Sequence, residues 1–170
     1  MSASNSHCIG FAPSIDHGCT HIILGSMPSV ASLEAQQYYA HPQNRFWPLM
    51  AHILEHAPSA PAHYEDRLAM LLRHHIALWD SIAFCDRKGS LDSDIKNEQG
   101  NDFAALFAKY PNIHTVCFNG GKSFQCFKKY NQPLLSHSDI HFHQMPSTSP
   151  ANARWNLEKL ESAWKIPLNF

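Results

Sequence analysis

The chain has 170 residues, 44% hydrophobic and 16% charged, with 13 Lys+Arg against 14 Asp+Glu for a net charge of −1. That length and composition exclude a disordered, collagen-like or low-complexity chain, and one domain of this size buries about 70% of its unfolded surface without staples. No apolar run approaches the roughly 20 residues of a membrane span, and near-neutral charge means that nucleic-acid binding would need a local basic patch.

Strand-like and helix-like segments alternate. Residues 20–24 (THIIL) form a short β-branched run stopped by Gly25. A helix is expected over 32–38 with Ser32 as its N-cap, then an amphipathic helix over Phe46–Glu55 with Pro48 in its first turn. The stretch 56–63 (HAPSAPAH) reads as a loop, Tyr64–Arg73 as a further helix and 76–79 (IALW) as a buried strand. Residues 84–100 are polar and rich in turn formers, which predicts a long loop with at most one helical turn. Asp102 caps a helix running to Lys109 ahead of Pro111, and 113–118 (IHTVCF) is a strand closed by Asn119-Gly120-Gly121. A short helix over 122–129, a strand over 139–143 and a last helix over 151–164 complete the pattern.

Four strands separated by helices predict a three-layer α/β/α fold with a central, mostly parallel four-stranded sheet. One domain spanning 1–170 is expected, with 1–19 and 165–170 as peripheral tails. In open sheets of this kind ligands bind beyond the carboxyl ends of the strands. Segments 25–29, 80–81, 119–121 and 145–150 follow the predicted strands and are rich in small polar residues, so they should converge on one cleft.

The 5 Cys are odd in number and form no CxxC, which points to free, mostly buried thiols in a reducing compartment. The first residues lack a basic segment followed by an apolar stretch, so no secretory signal is expected. His141 and His143 alternate with Ile140 and Phe142, but no third ligand has motif spacing, and no metal site is expected. Neither a Walker loop nor a GxGxxG is present to bind a nucleotide.

The run LGSMPSVASLEAQQYYAHPQNRFWPLM (24–50) resembles the first motif region of the uracil-DNA glycosylase superfamily, and in particular its hypoxanthine-DNA (deoxyinosine) glycosylase branch. Residues 76–95, 116–124 and 145–153 are similar to that branch's other blocks, in the same order. The resemblance implies a monofunctional DNA-repair hydrolase without a cofactor. Such an enzyme flips a deaminated base from DNA and cuts its N-glycosidic bond, leaving an abasic site. Hypoxanthine is the base implied. A uracil- or mismatch-directed glycosylase, or a nucleic-acid-binding relative without activity, are the alternatives. The partner implied is DNA carrying deaminated bases, met in the cytoplasm by a monomer.

Roles follow position by position. In mismatch-type relatives the first loop carries an Asn that positions water; aligned on Gly25 and Pro28, that position here is Met27, whose thioether orients water poorly. Asn44 is then the main candidate for the catalytic amide, with a helix cap as the alternative. Ser26 is the second catalytic candidate, through its backbone amide. Met27, Tyr39, Asp80 and Ser81 are the base-binding candidates, Tyr39 by stacking and Asp80 by accepting from ring N–H groups. Asn119 reads first as part of a tight turn. The DNA-binding candidates are Pro28 and Ser29 in the first loop, Ser147, Thr148 and Ser149 in the second motif, and Arg45 and Arg154. Arg87, Lys88, Lys122, Lys128 and Lys129 lie near the same blocks.

Overall fold

The computed structural model describes residues 6–170. Its centre is a four-stranded parallel sheet in the order β3-β2-β6-β7, from β2 (His21–Gly25), β3 (Ile76–Asp80), β6 (Thr115–Asn119) and β7 (His141–Met145). Strand alternation divides the apolar residues between two layers. Ile23, Leu78 and Cys117 face one core, packed by α2 (Phe46–Glu55), α3 (Tyr64–Arg73) and α6 (Leu157–Leu168). Ile22, Leu24, Ala77, Val116 and Phe118 face the other, covered by α4 (Phe103–Lys109) and α5 (Gly121–Asn131). In α2 the buried set Phe46, Leu49, Met50, Ile53 and Leu54 repeats at three- and four-residue steps, so one stripe meets the sheet. The three-layer α/β/α reading of the sequence describes this arrangement.

Three features depart from expectation. The polar stretch after β3 is not a loop. It forms β4 (Ile82–Arg87) and β5 (Lys96–Gly100), which join β1 (Ser6–Ile9) in a second, antiparallel sheet of order β1-β4-β5. This sheet buries its own small core of Cys8, Met27, Ile82, Cys85, Ile95 and Cys126. Secondly, the supposed tails take part in the fold. β1 pairs along β4, Ser14 bridges to Leu78, the Ala12 carbonyl accepts from the Tyr38 hydroxyl at 2.8 Å, and Leu168 is buried. Residues 1–5 of the predicted tail lie outside the described residues.

Thirdly, two helices begin elsewhere. α1 spans Val30–Ala35, capped by Ser29, whose hydroxyl accepts from the Ser32 N–H; Ser32 itself is buried. It stops at Gln36 in the left-handed region, φ 54°. α6 starts at Leu157 behind the Asn156 cap, because residues 149–155 are held in turns instead. All five cysteines are buried and free. No helix among the described residues is long and apolar enough to cross a membrane.

Candidate active site

The carboxyl ends of β2, β3, β6 and β7 open into one cleft of about 610 Å³. Segments 25–29, 119–121 and 145–150 all line it, as does Asp80, so the strand ends converge as their order requires.

Asp80, the last residue of β3, is 4% exposed, and its Oδ2 has no hydrogen-bond partner. Burial, with the charge of Asp92 adding to it and that of Arg87 opposing it, pushes its carboxyl up to about 7. Its Oδ1 lies so close to Gly25 that a Cβ there would come within 2.5 Å of it and 3.2 Å of the Tyr39 hydroxyl. Glycine at 25 therefore makes the room in which carboxyl and phenol sit side by side. Next to Asp80, Ser81 is fully buried and bonds to Ser123 Oγ at 3.0 Å; it supports the floor without lining the cleft.

Tyr39 adopts φ 54°, a strained conformation for a bulky residue. Its ring stacks on Phe46, with centroids 4.0 Å apart and planes 23° apart, while the residue lines the cleft. Its hydroxyl accepts from Asn119 Nδ2 at 3.2 Å, and burial and the neighbouring Asp80 raise its pKa. Tyr38 is buried in the α2 core, where its hydroxyl donates to the Ala12 carbonyl at 2.8 Å, and it also reaches the cleft lining.

A chain of hydrogen bonds links the loops. Asn119 Oδ1 accepts from the Thr148 N–H at 3.0 Å, which fixes the orientation of that amide. Its Nδ2 donates to Thr148 Oγ1 at 3.0 Å, and Thr148 Oγ1 donates to Asn44 Oδ1 at 2.9 Å. Asn44 Oδ1 also accepts from the Phe46 N–H at 2.9 Å. Both lone pairs of the Asn44 oxygen are thus used inside the protein, and only its Nδ2 protons remain for anything in the cleft. Asn44 accordingly braces the entry to α2 and presents a donor at the same time.

The other sequence candidates divide. Ser26 lines the cleft, spends its hydroxyl on Asp92 Oδ1 at 2.6 Å and accepts the Ile82 N–H on its carbonyl at 3.2 Å. Met27 is 7% exposed and packs with the core of the small sheet as well as lining the cleft. The Pro28 carbonyl is held by the buried Arg87 guanidinium, so Arg87 is a scaffold beneath the first loop and not a surface cation. Ser147 and Ser149 line the cleft and hold their own turn, the Ser149 N–H donating to Ser147 Oγ at 3.1 Å.

Arg45 is not in the cleft wall. Its guanidinium donates to the carbonyls of Ser149 at 2.7 Å and Asn152 at 3.1 Å, tying the second motif to α2. Arg154 is exposed and lies outside the cleft lining. Sequence reasoning missed Ser90, Leu91, Asp92 and Gln144, which also line the cleft, and underrated Asn119. The N-terminus of α5 has no side-chain cap and borders the same cleft through Gly120 and Gly121, the Gly120 N–H itself donating to the Met145 carbonyl at 3.1 Å.

Comparison with known proteins adds four findings. The model of the uracil DNA glycosylase superfamily matches residues 13–166. A hypoxanthine DNA glycosylase of Methanosarcina acetivorans is 37% identical over 156 residues, covering 92% of this chain and 94% of that protein. A hypoxanthine DNA glycosylase of Methanosarcina barkeri is 37% identical over 155 residues, covering 91% and 94%. Among solved structures, the solution NMR structure of a Methanosarcina acetivorans protein, provisionally assigned as a uracil DNA glycosylase, superposes with a TM-score of 0.78. It is 33% identical, and the match covers 97% of this chain and 100% of that one.

Proposed function

The chain belongs to the uracil DNA glycosylase superfamily and is a DNA glycosylase, and we propose that the base it releases is hypoxanthine, the deamination product of adenine. The observation that carries this reading is the unpartnered carboxyl of Asp80 in the cleft, beside Gly25 and Tyr39. Hypoxanthine presents a donor at N1, where adenine presents a lone pair. An ionised Asp80 accepts from the first and repels the second, and a buried acceptor left unpaired is a strong basis for rejecting the wrong base.

The flipped base stacks on Tyr39, an interaction worth about 1–3 kcal/mol in single-strand binders. Phe46 behind the ring and Asn119 at its hydroxyl hold it in place. Cleavage breaks the bond between C1′ and N9, with the electron pair leaving on the base and water adding to the sugar cation. Asn44 Nδ2 is the donor available to orient that water or stabilise the departing charge. The amides at the start of α5 and the 25–29 and 146–150 loops take the flanking phosphates. The whole chain, 1–170, works as one glycosylase domain, a monomer acting on DNA in the cytoplasm without a cofactor.

The test is base choice. Oligonucleotides carrying hypoxanthine, uracil or adenine at one position are incubated with the protein, and released base is identified by chromatography. Release of hypoxanthine ahead of uracil, with adenine untouched, is expected. Preferential release of uracil overturns the substrate assignment.

A further inference from the structure

Extruding a base leaves a hole in the stack, and proteins that open DNA commonly fill it with an apolar side chain. The second-motif loop reads Pro146-Ser147-Thr148-Ser149-Pro150, with Thr148 fully buried and both serines engaged in its turns, so its apolar groups at the cleft are the short, rigid rings of Pro146 and the exposed Pro150. Elsewhere in the cleft lining, the turn between β4 and β5 differs. Leu91 lines the cleft and is 56% exposed, the only large apolar side chain of the lining, among the described residues, left so open.

A lone exposed leucine is ordinary; the way this one is held is not. The preceding residue, Ser90, accepts the Val30 N–H on its hydroxyl at 2.8 Å. The following residue, Asp92, accepts the Ser26 hydroxyl at 2.6 Å, and the Leu91 carbonyl accepts the Asp94 N–H at 3.1 Å. Gly89 at φ 85° turns the chain, and exposed Lys88 beside it supplies a cation for phosphate. The side chain is therefore solvent-exposed on a backbone pinned to the first loop on both sides.

We propose that Leu91 is the wedge that enters the duplex as the target base leaves and keeps it from restacking. This rests on the reading of the chain as a glycosylase that acts on duplex DNA. It assigns the wedge to the β4–β5 turn, within the small antiparallel sheet.

The experiment compares wild type, Leu91→Ala and Leu91→Met on duplexes holding 2-aminopurine beside the lesion, whose fluorescence rises on unstacking whether or not a bond is cut. Hypoxanthine and uracil duplexes, the matching single strands, and duplexes with a pyrene nucleotide opposite the lesion are run in parallel for single-turnover release. Leu91→Ala is expected to lose the fluorescence rise and slow duplex release at least ten-fold. Single-strand release and the melting temperature should be unchanged, pyrene should restore the duplex rate, and Leu91→Met should stay near wild type. A fluorescence rise in Leu91→Ala equal to wild type, an equal loss on single strands, or no unstacking by wild type overturns the wedge. Wild type that unstacks duplex but releases no hypoxanthine overturns the substrate reading alone, and the effect of Leu91→Ala on unstacking still decides the wedge.

Discussion

Replacing Asp80 by Asn should make the protein more stable and less active, and the stability gain should depend on pH in a defined way. The folded protein raises this carboxyl from its ordinary 3.8 to about 7. Between those values the native state holds a proton that the unfolded state has lost. Stability contributed by the neutral form is complete below pH 3.8 and declines by about 1.4 kcal/mol per pH unit, until about 4 kcal/mol is gone above pH 7. Asn is a neutral isostere, so Asp80→Asn should match wild type near pH 4 and exceed it by an amount that grows to about 4 kcal/mol by pH 8. Urea unfolding at pH 4, 5, 6, 7 and 8 measures this directly. Base release by wild type should meanwhile rise through pH 7 as Asp80 ionises and becomes an acceptor, and the variant should have a flat, low profile. A stability difference independent of pH would refute the reasoning, because the unpartnered carboxyl would then not be ionising at a cost inside the fold.

Substitutions at three further residues separate structural from functional roles. Asn44→Asp keeps the acceptor used by Phe46 and Thr148 but removes the amide protons; it should melt near wild type yet slow single-turnover release by about a hundred-fold, or about 2.7 kcal/mol. Asn44→Ala should lose both activity and about 1–2 kcal/mol of stability, and full activity in Asn44→Asp would show the amide to be purely structural. Gly25→Ala places a methyl 2.5 Å from Asp80 Oδ1, so base binding should fail even if circular dichroism shows a folded chain. Arg45→Ala frees the Ser149 and Asn152 carbonyls, and its main effect should be a lower melting temperature, with the salt dependence of DNA binding unchanged; a flatter salt slope would mean that Arg45 contacts phosphate after all.

The central sheet was legible because three of its strands are short apolar runs ended by Gly25, Asp80 and Asn119, and segments 25–29, 119–121 and 145–150, with Asp80, do line one cleft. The antiparallel sheet was not, because β4 and β5 mix charged and polar residues with few β-branched ones, and such strands are stabilised by pairing rather than propensity. Helix starts slipped for a similar reason: Ser29 and Ser32 are both plausible caps, and only the fold assigns Ser32 to the interior. At the site, residue types pointed to Asn44, Tyr39 and Asp80, all of which line the cleft. Direction was what the sequence lacked. Arg45 and Arg87 read as surface cations and are turned inward onto backbone carbonyls. Asn119 reads as a turn former, yet its amide joins Tyr39 to Thr148.

The most direct test of the account is single-turnover release, with enzyme in excess, from matched oligonucleotides carrying hypoxanthine, uracil or xanthine in single and double strands. Alkali cleavage of the abasic product reports each excision. The account predicts that hypoxanthine is released fastest and that Asn44→Ala and Tyr39→Ala both slow it. Release of no base from any strand by the folded wild type would contradict it.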